Sequence, residues 1–168
     1  MTLRIDDLAP ADVEAVVSVD GGNGWNSDRI LWDRYLAEQA HGLRTVLIAW
    51  SHDHPIGYGT LAWASDYAPF RLRDMPEINN LCVARSHRQS GVATTLIRTL
   101  ENKARSSGKA GIGIGVGLYA DYGNAQRLYA RLGFRPDGEG VTYRGRRAEP
   151  GKQVCLDDDL ILWLSKDL

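Results

Sequence analysis

The spacing of apolar residues changes several times along the chain, and each change marks an element. Leu3 and Ile5 alternate with polar neighbours across Thr2 to Asp6, as in a short strand. Pro10 then opens Ala11 to Val19, where apolar positions recur at helical intervals. Gly21, Gly22 and Gly24 form a flexible joint. Ser27 is the expected N-cap of a second helix reaching about Gln39, with Ile30, Leu31, Tyr35 and Leu36 on one side. Leu43 to Trp50 and Ile56 to Ala64 are β-prone, and Ser51 to Pro55 between them predicts an antiparallel hairpin with a somewhat longer turn. Pro69 to Pro76 is expected to be a loop.

In the second half Glu77 to Ala84 (EINNLCVA) predicts a further strand. Gly91 to about Ser107 predicts a helix with Val92, Leu96, Thr99, Leu100 and Ala104 near one face, ended by Gly108. Gly111 to Leu118 alternates glycine with aliphatic residues, so one strand face is packed and the other is bare backbone that something approaches closely. Ala125, Leu128, Tyr129 and Leu132 lie at helical spacing before Gly133, and Val141 to Arg144 and Leu160 to Leu164 read as closing strands. No internal repeat is visible.

Composition narrows the function. At 168 residues, 1–168 reads as one domain. Lys and Arg number 20 against 21 Asp and Glu, which argues against the broad positive field of a nucleic-acid-binding protein. No segment is apolar for long enough to be a signal-peptide core or a membrane span, so the chain is expected to be cytoplasmic, with no membrane partner. Cys82 and Cys155 lack CxxC spacing and are expected as reduced thiols, with no metal site. His52 and His54 are spaced to share a metal, but they sit in the hairpin turn without an identifiable third ligand and read as a polar turn.

The most informative run is Arg88, Gln89, Ser90, Gly91, Val92 and Ala93, between a predicted strand and a predicted helix. A helix start leaves backbone N–H groups unpaired at the positive end of the macrodipole, a natural seat for phosphate. Gly91 permits close approach, Ala93 leaves the first turn uncrowded, and Arg88 offers a charge-assisted contact. Alone, R-x-x-G-x-A also fits an ordinary solvated loop. GxxxxGK[ST] is absent, and the glycine-alternating segment lacks the placement of a dinucleotide fingerprint.

EINNLCV, then RQSGVA opening a helix, then NAQRLYARLGF after one more strand, resembles the GNAT superfamily of N-acetyltransferases. The likeness is specific over about Glu77 to Phe134 and looser over the whole chain. It implies an α/β fold: one central mixed, mostly antiparallel sheet flanked by helices and splayed between two parallel central strands. It also implies acetyl-CoA as acyl donor, its pyrophosphate on the Arg88 to Ala93 loop, and direct acetyl transfer to an amine. A small-molecule amine is the expected acceptor. A peptide or protein amine, and a non-catalytic acyl-CoA-binding module, are the alternatives, and a homodimer is compatible with the reading.

Transfer from a thioester to an amine needs a neutral amine, a stabilised oxyanion and a proton for the leaving thiolate. By resemblance, Glu77 is the general base and Tyr129 the acid. The residues alone also allow a solvated strand-start carboxylate and a core tyrosine. The likeness makes the backbone N–H groups of Leu81, Cys82 and Val83 oxyanion donors and leaves Cys82 a packed thiol. Asn124 resembles the family's asparagine near the pantetheine arm, with an N-cap as its alternative. The sequence departs from the family here, because Gly117 to Gly123 intervenes after Val116. Tyr119, Asp121 and Tyr122 in that insertion could line a pocket or decorate the surface. Asp157 to Asp159 read as a solvated run or an acceptor contact, and Trp25, Trp32 and Tyr35 as cleft lining or aromatic core.

Overall fold

The alternating segments assemble into one mixed sheet in a computed structural model that describes residues 3–19 and 25–168. The strands are β1 (Leu3–Asp7), β2 (Arg44–Ser51), β3 (His54–Ala62), β4 (Glu77–Val83), β5 (Gly111–Gly117), β6 (Arg135–Tyr143), β7 (Arg146–Arg147) and β8 (Leu160–Asp167). Their spatial order is β1-β2-β3-β4-β5-β8-β6-β7. Among the described residues β4 and β5 form the one parallel pair, and the other neighbours run antiparallel. The helices are α1 (Val13–Val17), α2 (Arg29–Ala40), α3 (Ala68–Leu72), α4 (Val92–Ser106) and α5 (Gly123–Arg131). This is the mixed, mostly antiparallel α/β architecture expected from the sequence.

The two faces of the sheet follow from the strand period of two. Leu47 and Ala49 of β2, Ile78 and Val83 of β4, and Ile112, Ile114 and Val116 of β5 pack with Leu96, Ile97 and Leu100 of α4 and Tyr129 of α5. Val46, Ile48 and Trp50 of β2 and Tyr58 of β3 point the other way, into a cluster with Val13, Val16, Trp25, Trp32 and Tyr35. Each large side chain fully buried in these layers contributes about 1.5–3 kcal/mol by leaving water.

Several boundaries differ from expectation. The N-cap of α2 is Asp28, whose side chain accepts from the Ile30 N–H at 3.0 Å, while the Ser27 hydroxyl donates to the Val19 carbonyl. Trp32 and Tyr35 form the buried side of α2, and Ile30 is 77 % exposed. The hairpin turn is tighter than expected: Ser51 pairs with His54 across His52 and Asp53. The predicted loop contains α3, because Pro69 falls in the first turn, where a missing N–H costs nothing. Pro10 opens a short 3-10 turn rather than the α-helix itself, which begins at Val13. The closing strands β6 and β8 outrun their predicted apolar cores, and β7 was not anticipated. Thr2 and the glycine joint at Gly21, Gly22 and Gly24 lie outside the described residues.

Candidate active site

The central parallel pair is short. Glu77 is in register with Gly113 and Ile78 with Ile114, after which the strands part. β5 stays paired with β8 from Gly111 to Gly117, and β4 stays paired with β3, so the opening lies within the sheet. Its origin is a bulge in β4. Asn80 has φ +55°, and the register with β3 slips between Tyr58 and Thr60. The Asn80 amide donates to the Tyr35 hydroxyl at 2.6 Å, tying the bulge to α2.

Beyond the bulge the Ala84 N–H donates to the Ile56 carbonyl at 2.9 Å, which sets the phase of the ladder. Alternate residues of an antiparallel strand bond to the partner, so Cys82 faces β3 and Val83 turns its N–H and C=O away from β3, toward the opening. The same alternation turns the Leu81 backbone that way. The Leu81 side chain packs on the α4 core and the Cys82 side chain on the aromatic cluster of the opposite face. Burial raises the Cys82 thiol above its ordinary value, partly offset by Arg88, which is the reverse of what a nucleophilic thiolate needs.

The run from Arg88 to Ala93 enters α4 beside this opening. The Arg88 Nε donates to the Val83 carbonyl at 3.1 Å, and the Ser90 hydroxyl donates to the His87 carbonyl, closing the turn. Gln89 at φ +60° and Gly91 at φ +88° reverse the chain into the helix. Gly91 is the N-cap and brings no side chain, and the first helical bond runs from the Thr95 N–H to the Gly91 carbonyl at 3.0 Å. The N–H groups of Val92, Ala93 and Thr94 therefore stand at the helix tip without helical partners. No acidic residue lies in the first turn, and a Cβ at Gly91 would meet nothing within 4 Å. An unneutralised helix dipole with an open approach fits a diphosphate.

Glu77 and Tyr129 lie on opposite faces of the sheet. Ile78 and Ile114 both belong to the α4-side core with Tyr129, so their neighbours Glu77 and Gly113 face the other way. Glu77 is 7 % exposed. Its Oε2 accepts from the Ser65 hydroxyl at 2.5 Å and its Oε1 from the Asn79 amide at 3.0 Å. It is thus a built carboxylate, not a solvated strand start. Tyr129 is 7 % exposed, and no hydrogen bond to its hydroxyl is found among the described residues. Burial pushes its phenol up to about 12, keeping it protonated at neutral pH.

Asn124 differs from one of the two sequence expectations about it. It is exposed in the first turn of α5, whose N-cap is Tyr122, so the N-cap alternative fails. Gln126 instead reaches the end of β5, donating to the Gly117 carbonyl at 2.8 Å. The inserted loop supplies Tyr119 and Tyr122, whose hydroxyls both donate to Asp158 and hold its carboxyl below the usual range. Asp157 accepts from the Tyr143 hydroxyl, and Asp159 pairs with Arg144, so the acidic run is largely tied to its own surroundings. Trp25, Trp32 and Tyr35 resolve as aromatic core.

The bare face of β5 is filled. A Cβ at Gly113 would lie 2.0 Å from Phe70 of α3, and one at Gly117 would lie 2.4 Å from Tyr122. Tyr67 stacks on Trp163 with ring centroids 4.2 Å apart and donates to Asp137 at 2.8 Å, which fixes the segment before α3 against β8 and β6. Sequence reasoning missed Ser65, Asn79 and Gln126. Asn79 was open to discovery, since i and i+2 share a strand face, but no local pattern marks Ser65.

The model of the acetyltransferase (GNAT) family matches residues 20–134. No curated protein matches this chain. Among solved structures, the ribosomal-protein-alanine N-acetyltransferase from Brucella melitensis is 21 % identical with a TM-score of 0.69, over 98 % of this chain and 99 % of that one. A GNAT family acetyltransferase from Elizabethkingia anophelis with acetyl-CoA bound is 17 % identical, TM-score 0.64, over 99 % and 98 % of the two chains. The PaiA N-acetyltransferase from Thermoplasma acidophilum, in complex with coenzyme A, is 14 % identical, TM-score 0.67, over the whole of both chains. These structures share the fold, and the family match over residues 20–134 shows that the chain belongs to the GNAT family of acetyltransferases.

Proposed function

We propose that the protein transfers an acetyl group from acetyl-CoA to the primary amine of a small molecule by direct attack. The observation that carries this reading is the opening between β4 and β5, with an uncapped helix start at its mouth, a buried phenol on one face and a hydrogen-bonded carboxylate on the other. Acetyl-CoA, when bound, supplies an activated thioester and a thiol leaving group. The N–H groups of Val92, Ala93 and Thr94, with Arg88, hold its diphosphate; Gln89 and Ser90 shape the loop. Val83 and Leu81 N–H groups face the position where negative charge grows on the thioester oxygen. Cys82 contributes through the strand it belongs to. Asn124 and Gln126 stand at the head of α5, near the end of β5 that the donor arm would pass.

Most amines are protonated near neutrality, as lysine is with its ordinary pKa of about 10.4. Glu77 accepts the amine's proton, directly or through water, and Tyr129 gives its own to the departing thiolate. A buried phenol raised to about 12 remains a donor throughout the working range. In the unfolded chain it would ionise near 10. Its burial therefore favours the fold below that pH, and the contribution fades as pH climbs toward 12.

The filled β5 face supports a small acceptor over a peptide, since Phe70 and Tyr122 occupy space beside the opening. The test is thiol release from acetyl-CoA against a panel of small amines and of peptides beginning with alanine, with Glu77→Gln and Tyr129→Phe alongside. Turnover of small amines, reduced about 100-fold or more in either variant, is the expected result. Turnover of peptides alone would move the acceptor to the protein class. Binding without turnover would make the protein an acyl-CoA-binding module, and full activity in both variants would remove the roles given to these two residues.

A further inference from the structure

We infer that Ser65 is a positioning residue for the acceptor-side base, holding the Glu77 carboxylate in one plane through a hydrogen-bonded relay from the segment before α3. The inference rests on the reading of Glu77 as the base.

Ser65 is 1 % exposed and sits between the end of β3 and α3. Its Oγ has two partners. The Tyr67 N–H donates to it at 3.0 Å, and it lies 2.5 Å from Glu77 Oε2. A hydroxyl has one proton, and a carboxylate offers only acceptors. With one lone pair taken by the Tyr67 amide, the Ser65 proton is directed at Glu77. The Asn79 amide holds the other carboxylate oxygen at 3.0 Å. Each oxygen of Glu77 is therefore fixed by one donor, and the lone pairs left over on the fixed carboxylate plane are those an amine or a bridging water must meet.

The relay is itself anchored. Arg71 of α3 donates to the Ser65 carbonyl at 3.0 Å. The Tyr67 ring is clamped by Trp163 of β8, and its hydroxyl by Asp137 of β6. Strands from the far side of the opening thus set the angle of a carboxylate on β4, which is the kind of support a proton acceptor needs to meet a substrate within a few tenths of an ångström.

The experiment is a double-mutant cycle on steady-state turnover with acetyl-CoA and the best amine of the panel. It uses Ser65→Ala, Glu77→Gln and the pair together, with Ser65→Thr and Ser65→Cys as graded replacements. Turnover is referred to coenzyme A-binding sites counted by calorimetry, so a partly unfolded sample does not imitate a catalytic loss. Ser65→Ala should lower kcat roughly tenfold or more, the rate equivalent of one hydrogen bond to a charged group, with the KM for acetyl-CoA unchanged. Ser65→Thr should restore most of the rate, and Ser65→Cys, a weaker donor, should fall between. In the Glu77→Gln background Ser65→Ala should cost little more. An equal loss in both backgrounds, or no loss in Ser65→Ala while Glu77→Gln is impaired, would overturn the relay and leave Glu77 as the base. Full activity in Glu77→Gln would instead overturn the base and the relay with it.

Discussion

α2 and α4 both begin beside the sheet, and they begin differently. α2 completes itself. Asp28 accepts from the Ile30 N–H, and Arg29 behind it pairs with Glu14 of α1. α4 begins on a glycine with a left-handed backbone, no capping side chain and no acid in its first turn. A capped start has spent its donors on its own chain and contributes stability; an uncapped start keeps its donors for something else. The contrast sets a capped helix end beside an uncapped one within a single molecule.

The sharpest way to break the contrast is to give α4 the cap that α2 has. Gly91→Asp places a carboxylate where a diphosphate would sit, and coenzyme A affinity measured by calorimetry should fall about 100-fold or more through repulsion and occupied donors. Gly91→Ala, which adds only a Cβ at a strained φ, should weaken binding less. Arg88→Ala removes one charge-assisted partner and should weaken affinity about tenfold. Raising salt from about 0.05 to 0.5 M should cost a few-fold in the unmodified protein and less in Arg88→Ala, since screening acts on the same charge. The smallest effect is the mirror experiment: Asp28→Ala should lower the melting temperature by about 2–4 °C and leave coenzyme A affinity unchanged.

The same contrast shows what was legible in the sequence. Around Gly91 strand, loop and helix follow one another within a few residues, so an uncapped helix start could be read from local order alone. At α2 the reading was off by one residue, because Ser27 and Asp28 are both good caps and only the Ser27 bond to Val19 decides between them. The glycine alternation of β5 announced that its bare face would be approached, but not by what. Phe70 reaches it from a segment that its prolines marked as loop, and one of those prolines starts a helix. Glu77 could be placed at the head of a strand, while its burial could not be foreseen. Ser65, twelve residues earlier, could not, since the bond joins side chains across a connection whose path depends on Tyr67 meeting Asp137 seventy residues away. The N-cap alternative for Asn124 failed for a related reason: the inserted loop moves the helix start to Gly123, behind Tyr122, and it is Gln126 that bonds to the end of β5.

The parting of β4 from β5 has one more consequence. It creates a strand edge inside the sheet, recessed between two layers of helices, where another protein chain cannot dock against it as it could at an outer rim. The Val83 amide on that edge should trade its hydrogen for solvent deuterium quickly in the empty protein, while Cys82, tied to β3, trades slowly. Filling the gap with coenzyme A should slow the first and leave the second as it was, so two adjacent amides of one strand would record whether the gap is occupied.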